Sequence, residues 1–288
     1  MLIRLGYDIR FWVTSSVPMI TMLNVHPSRV NDLVEPDLLS VFPEVPVVEF
    51  RDVFGNRGCR FVAPEGELRL SNSSLIRDSG EPDKQDFQAR EVPVQELPTE
   101  TLPYLMNSRY CEVDLLSPIA AGLFGGVPRG YGRVQAICDW IHDKLAFGYP
   151  FASPTRTALS AYTEQVGVCR DFQHLAVTFC RALNIPARYA TGYLGDIGIP
   201  TSSPMDFSAW FQAYLEDRWW TFDARNNTPR MGRVLIAVGR DATDVAITTS
   251  FGNAQLLNFQ VTTDEVHESE YALPAASNAS LTFADAEG

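Results

Sequence analysis

From residue 3 to residue 11 apolar and polar positions alternate, with Ile3, Leu5, Tyr7, Ile9 and Phe11 separated by Arg4, Gly6, Asp8 and Arg10. A period of two sets the apolar side chains on one face of a half-buried strand. Short apolar stretches at 45–50, 59–62 and 68–70, broken by turn signals such as Glu65-Gly66, predict an all-β segment to about residue 75. Between Asp78 and Pro103 the chain is polar and proline-bearing, which predicts a linker or a surface strap. The period then changes. Val134, Ile137, Cys138, Ile141 and Leu145 step by three, one, three and four, one face of an amphipathic helix. A short helix from Thr155, a longer one opening near Cys169, and strands over 188–193, 208–214, 218–223 and 234–238 follow. After Pro274 the residues are small, polar and acidic and predict disorder. The pattern implies an α+β protein in two units: a β-sandwich-like segment with its linker over 1–103, and helices packed on an antiparallel sheet over 104–273, with 274–288 as a tail.

At 288 residues and 45% apolar content the chain can bury two ordinary cores. A net charge of -12, with no cluster of Lys or Arg, speaks against nucleic acid or an anionic membrane as partner. No apolar run is long enough to span a bilayer. The first twelve residues read as a strand and not as a signal peptide, so the cytoplasm is the expected compartment. Cys59, Cys111, Cys138, Cys169 and Cys180 are odd in number and widely spaced, which is neither a zinc pattern nor a disulfide framework. The glycines around 232–241 lack the spacing of a dinucleotide fingerprint or a phosphate loop, so neither cofactor nor metal is expected. Oligomeric state is not legible.

Candidate chemistry begins at Gly167-Val168-Cys169-Arg170-Asp171-Phe172. A helical wheel from Cys169 gathers Phe172, Leu175, Ala176, Phe179 and Leu183 on one face, so a helix opens close to the cysteine. Free N–H groups and the dipole at a helix start favour a thiolate and predict a lowered thiol pKa. Cys180, deeper in the same helix, reads as packing. Downstream, 206–214 and 218–223 read as two strands joined by a tight turn at Glu216-Asp217. Pairing Leu215 with Arg218 sets Trp210 opposite Asp223 and Ser208 opposite Arg225, and makes Ser208 and Asp223 diagonal neighbours.

The order GVCRDFQHLAVTFCRALNIPARYATGYL, then DFSAWFQAYLEDRWWTFDARNN, closely resembles the core of the bacterial transglutaminase-like superfamily, and the β-rich segment before it resembles the region often attached to such domains. The resemblance implies a papain-like fold for the second unit and a triad of cysteine, histidine and aspartate. Cysteine carries over to Cys169 and aspartate to Asp223. The histidine slot, ordinarily followed by Ala-Trp, holds Ser208. It implies a cysteine enzyme of acyl transfer or hydrolysis, of peptidase or amidase type, acting on a peptide or small acyl or amide substrate.

A serine hydroxyl can neither deprotonate a thiol at neutral pH nor protonate a leaving amine. Substitutes are few. His174 lies about 140° around the helix from Cys169 and should point to solvent or to the other unit. His26, before Pro27, could reach across from the β-rich unit, while His142 and His267 read as surface or structural positions. Asp206, two residues before Ser208, could act as acid or base if its pKa is raised. Arg225 opposite Ser208 would neutralise Asp223 and suggests an anion or carboxylate site. Of Trp210, Trp219 and Trp220, at least one should be core and another could line a substrate groove. A catalytically silent peptide- or carboxylate-binding module, partnering a peptide-ligating system, is the alternative from another class.

Overall fold

The structure, a computed structural model, describes residues 1–200, 206–267 and 269; the expected disordered tail over 274–288 lies outside the described residues. Strand β1 (Leu2–Val13) buries Ile3, Leu5, Tyr7 and Ile9, as its alternation predicts. The other strands of the β-rich unit are β2 (Val17–Thr21), β3 (Ser40–Phe42), β4 (Val48–Arg51), β5 (Arg57–Ala63) and β6 (Gly66–Arg77). Chain 78–103 is a strap held by charge: Asp83 accepts from Arg233 and from the Arg230 amide, and Glu91 pairs with Arg133.

Helices α1 (Val113–Phe124), α2 (Tyr131–Lys144) and α3 (Ala158–Glu164) pack around α4 (Cys169–Ala182). Two short parallel strands, β7 (Ala146–Phe147) and β8 (Val166–Gly167), lead into α4. A four-stranded antiparallel sheet follows, from β9 (Ala187–Tyr193), β10 (Phe207–Leu215), β11 (Arg218–Phe222) and β12 (Val234–Gly239), in the order β11-β10-β9-β12. Leu215 pairs with Arg218 across the hairpin, and Glu216 takes the left-handed conformation its tight turn requires.

Two final strands, β13 (Thr248–Ser250) and β14 (Ala254–Val266), return to the N-terminal unit. They complete the sheets β13-β2-β5-β4 and β14-β1-β6-β3. The sequence pattern had placed both in the second unit. Their pairing was hidden because Leu256, Leu257 and Phe259 of β14 stay exposed, so no buried face marks the strand. One apolar cluster joins the β-rich unit to the sheet behind it, with Ile3, Tyr7 and Phe61 packed alongside Tyr193, Phe207, Ala209 and Val234. Cys169 packs against this cluster, while Phe172, Leu175 and Phe179 face the helices. The start of α4 therefore sits between these two apolar clusters.

Helix α4 is buried all round, and this overturns the expectation for His174. The ring is stacked on Tyr110 and lies against Tyr189, and its Nε2 accepts from the Ala242 amide at 3.1 Å. Protonation would set two hydrogens against each other, and burial pushes the imidazole down to about 3. His174 is a neutral core acceptor. Since the folded pKa lies below the ordinary value near 6.5, its stabilisation is complete above that pH and is lost as pH falls towards 3. Urea unfolding should weaken below pH 6.5 by up to about 1.4 kcal/mol per pH unit from this ring. His26, pushed down by burial to about 4, adds a second limb of the same slope that ends at a higher pH. In His174→Gln the acid limb should flatten towards that of His26 alone, and an unchanged slope would show that this ring does not set it.

Candidate active site

Val168, just before α4, donates its amide to the Asp171 carboxylate at 2.9 Å, which ties off the chain as the helix begins. Cys169 is then the first helical residue, and its partly exposed side chain opens into a cavity of ≈ 540 Å³, mouth included. Asp206, Ser208, Arg225 and Arg230 share that cavity, with Phe147 and Tyr149 near its rim. The α4 start supplies the thiol, the head of β10 supplies Asp206 and Ser208, and the chain between β11 and β12 supplies the two arginines.

The thiol is not the thiolate that a helix start predicts. Burial pushes Cys169 up to about 11, and the nearby Asp206 charge pushes the same way. Arg225 and the Ala209 backbone N–H pull it down, but by less. The helix terminus loses because its partial charge is offset by desolvation and by a full carboxylate charge. Burial likewise raises the Asp206 carboxyl above its usual range.

Asp223 lies near enough to influence the sulfur but lines a different cavity, of ≈ 310 Å³, together with Asp83, Tyr131 and Asn227. Its carboxylate accepts from Gln173 Nε2 (3.0 Å), Asn226 Nδ2 (2.7 Å), the amides of Arg225 and Asn226 (each 3.0 Å) and the Arg233 guanidinium (2.9 Å). Burial pushes the Asp223 carboxyl up, yet Arg233 and the Asn226 donors outweigh it and hold it below the usual range. Gln173 stands one turn along α4 from Cys169, so the aspartate clamps the helix to the sheet.

Two expectations for the neighbours of Asp223 are corrected. The β10–β11 ladder ends at Phe211↔Phe222, so Arg225 does not face Ser208 in the sheet. Its amide serves Asp223, while its guanidinium lies over the Phe147 ring at 4.1 Å. The residue that neutralises Asp223 is Arg233, which also stacks on Trp210. Trp210 is not a wall of the cavity: it is buried with Ala190 and Val238. Trp220 is core against Tyr131, and Trp219 packs on Tyr104 and Arg188 away from the cavity. Arg230, Arg233 and Asp196 were not anticipated. They sit in irregular chain flanking β9 and β12, where no period marks a position, and the one available sign was the basic pair three residues apart before an apolar strand.

Among the histidines, His142 bonds the Arg225 carbonyl through Nδ1 at 2.9 Å, His26 caps a turn through Ser28, and His267 is exposed. None lines the cavity. No helix among the described residues is long and apolar enough to cross a membrane.

Residues 117–224, which hold Cys169, Ser208 and Asp223, match the model of the transglutaminase-like superfamily. A solved structure from Cytophaga hutchinsonii, described as a candidate cysteine protease, is 34% identical, covers 92% of this chain and 90% of its own, and superposes with a TM-score of 0.80. An uncharacterised protein of Mycobacterium leprae is 28% identical over 189 residues, 64% of this chain and 67% of its own.

Proposed function

We propose, given that the chain belongs to the transglutaminase-like superfamily, that it is a cysteine-dependent acyl-transfer or hydrolytic enzyme whose nucleophile is Cys169 and whose proton acceptor is Asp206. The observation that supports this most is the cavity in which a helix-start thiol meets a carboxylate of raised pKa. A thiol held near 11 needs a base in the attack itself, and a carboxyl raised above its usual range is better suited to that task than an ordinary one. Asp206 takes the S–H proton as sulfur adds to the acyl carbon, and returns it as the leaving group departs. Ser208, at the usual histidine position, contributes a hydroxyl to the wall and no base. The kinship with a candidate cysteine protease fits this reading. The cytoplasm, a reducing compartment, suits the five free thiols.

A carboxylate is a weaker base than an imidazole, so it gives the thiol less help in its attack, and an ordinary amide, with the least reactive carbonyl, is the acyl donor that needs that help most. The site therefore favours thioesters and activated esters over ordinary amides. Steady-state kinetics on a matched ester and amide should show turnover of the ester, dependent on Cys169, and little of the amide; an amide cleaved as fast as its ester overturns the preference.

One observation favours a second reading, a silent peptide- or carboxylate-binding module that partners a peptide-ligating system. The resting thiol is protonated and Asp223 is fully engaged by five donors, so neither residue is poised as in a working triad. That reading predicts ligand binding by the wild type with no covalent acylation of Cys169.

A further inference from the structure

The cavity beside Cys169 holds charges of both signs; Arg230 and Asp196 pair with each other, while Arg225 and Asp206 do not. Arg225 has no carboxylate within 4.0 Å among the described residues; its guanidinium meets the Phe147 ring and the Asn226 side-chain oxygen. Arg230, buried to 7% exposure, is already engaged: Nη2 donates to the Gly195 carbonyl and pairs with Asp196 at 3.7 Å, and Nη1 donates to the Asn226 side-chain oxygen at 3.5 Å. Asp206 has no cation within 4.0 Å among the described residues. A half-buried carboxylate without a countercharge is costly. Arg225 and Asp206 do not close into a pair, as Arg233 and Asp223 do nearby. Held apart around a shared space, they fit a ligand that carries both charges itself.

We infer that this cavity binds a free α-amino acid, or the charged ends of a very short peptide, with its carboxylate on Arg225 and its ammonium on Asp206. The inference rests on the proposed enzyme for one point, the role of the bound molecule as acyl acceptor. With an acyl group on Cys169, the amine nitrogen attacks the thioester carbon, the C–N bond forms and the C–S bond breaks. The ammonium loses two protons in becoming an amide nitrogen: one restores the Cys169 thiol and the other leaves through Asp206 to water. Asp206 then serves both half-reactions, and the Arg225 guanidinium orients the acceptor.

Binding is best read in full-length Cys169→Ala, which cannot be acylated, by calorimetry or saturation-transfer NMR. The probes are L-alanine, L-lysine and L-glutamate, each beside its α-amide and its deaminated acid. At least one amino acid should bind about tenfold tighter than both of its single-charge analogues. Arg225→Gln should erase the preference over the amide, and Asp206→Asn the preference over the deaminated acid. No binding at tens of millimolar, or equal binding of all three forms, overturns the inference. Because the probe protein lacks the nucleophile, the outcome is independent of catalysis: selective binding without thioester turnover in the wild type removes the enzyme and keeps the ligand, and turnover without selective binding does the reverse.

Discussion

Arg233→Ala should cost about 3–5 kcal/mol of folding stability, the price of stranding a buried carboxylate. Arg233 bonds Asp223 at 2.9 Å and Asp83 at 2.8 Å and lies over Trp210, so its loss unpins the strap, the sheet and α4 together. For a chain of this size the melting temperature should fall by roughly 10 °C. The pH dependence carries a signature. In the wild type Asp223 has a depressed pKa, so its contribution is complete at neutral pH and is lost as pH falls through the folded value. Without Arg233 burial dominates, the carboxyl rises, and protonation relieves the folded state instead. The gap between wild type and variant should therefore narrow from pH 7 to pH 4, and Asp223→Asn should recover part of the loss. A cost under about 1 kcal/mol, the range of exposed pairs, would show that Arg233 is not the countercharge that matters.

The second large effect concerns catalysis. Asp206→Asn should slow acylation of Cys169 by about 10²–10⁴-fold, the usual worth of a positioned base. The same change removes a charge that holds the thiol up, so more thiolate forms at pH 8. If a thiolate at the helix start were sufficient by itself, the variant would acylate as fast as the wild type or faster. Proton acceptance and thiol depression thus predict opposite signs for one substitution.

Much of the fold could be read from apolar spacing. The alternation in β1, the start of α4 at Cys169 and the Leu215–Arg218 register all follow from local periodicity and turn chemistry. Helix α1 escaped notice, since Leu115 and Leu123 are exposed and Pro118 interrupts the pattern. β14 escaped for the related reason that only Val261 and Thr263 along it are fully buried. The site was legible as a set of residue types and not as a set of roles. Cys169, Asp206, Ser208 and Arg225 do share a cavity. Their protonation depends on desolvation and on which arginine reaches which carboxylate, which are long-range facts. His174 shows this sharply: its wheel position suggests solvent, yet the chain around Tyr110 and Ala242 folds over it.

The most direct measurement is the intact-protein mass after a brief exposure to a thioester acyl donor, with peptide mapping of the adduct. The account predicts one acyl group on Cys169 of the wild type, none in Cys169→Ala, and a rate of formation in Asp206→Asn lower by at least about a hundredfold. An unmodified Cys169 after prolonged exposure, or equal rates with and without the Asp206 carboxylate, contradicts it.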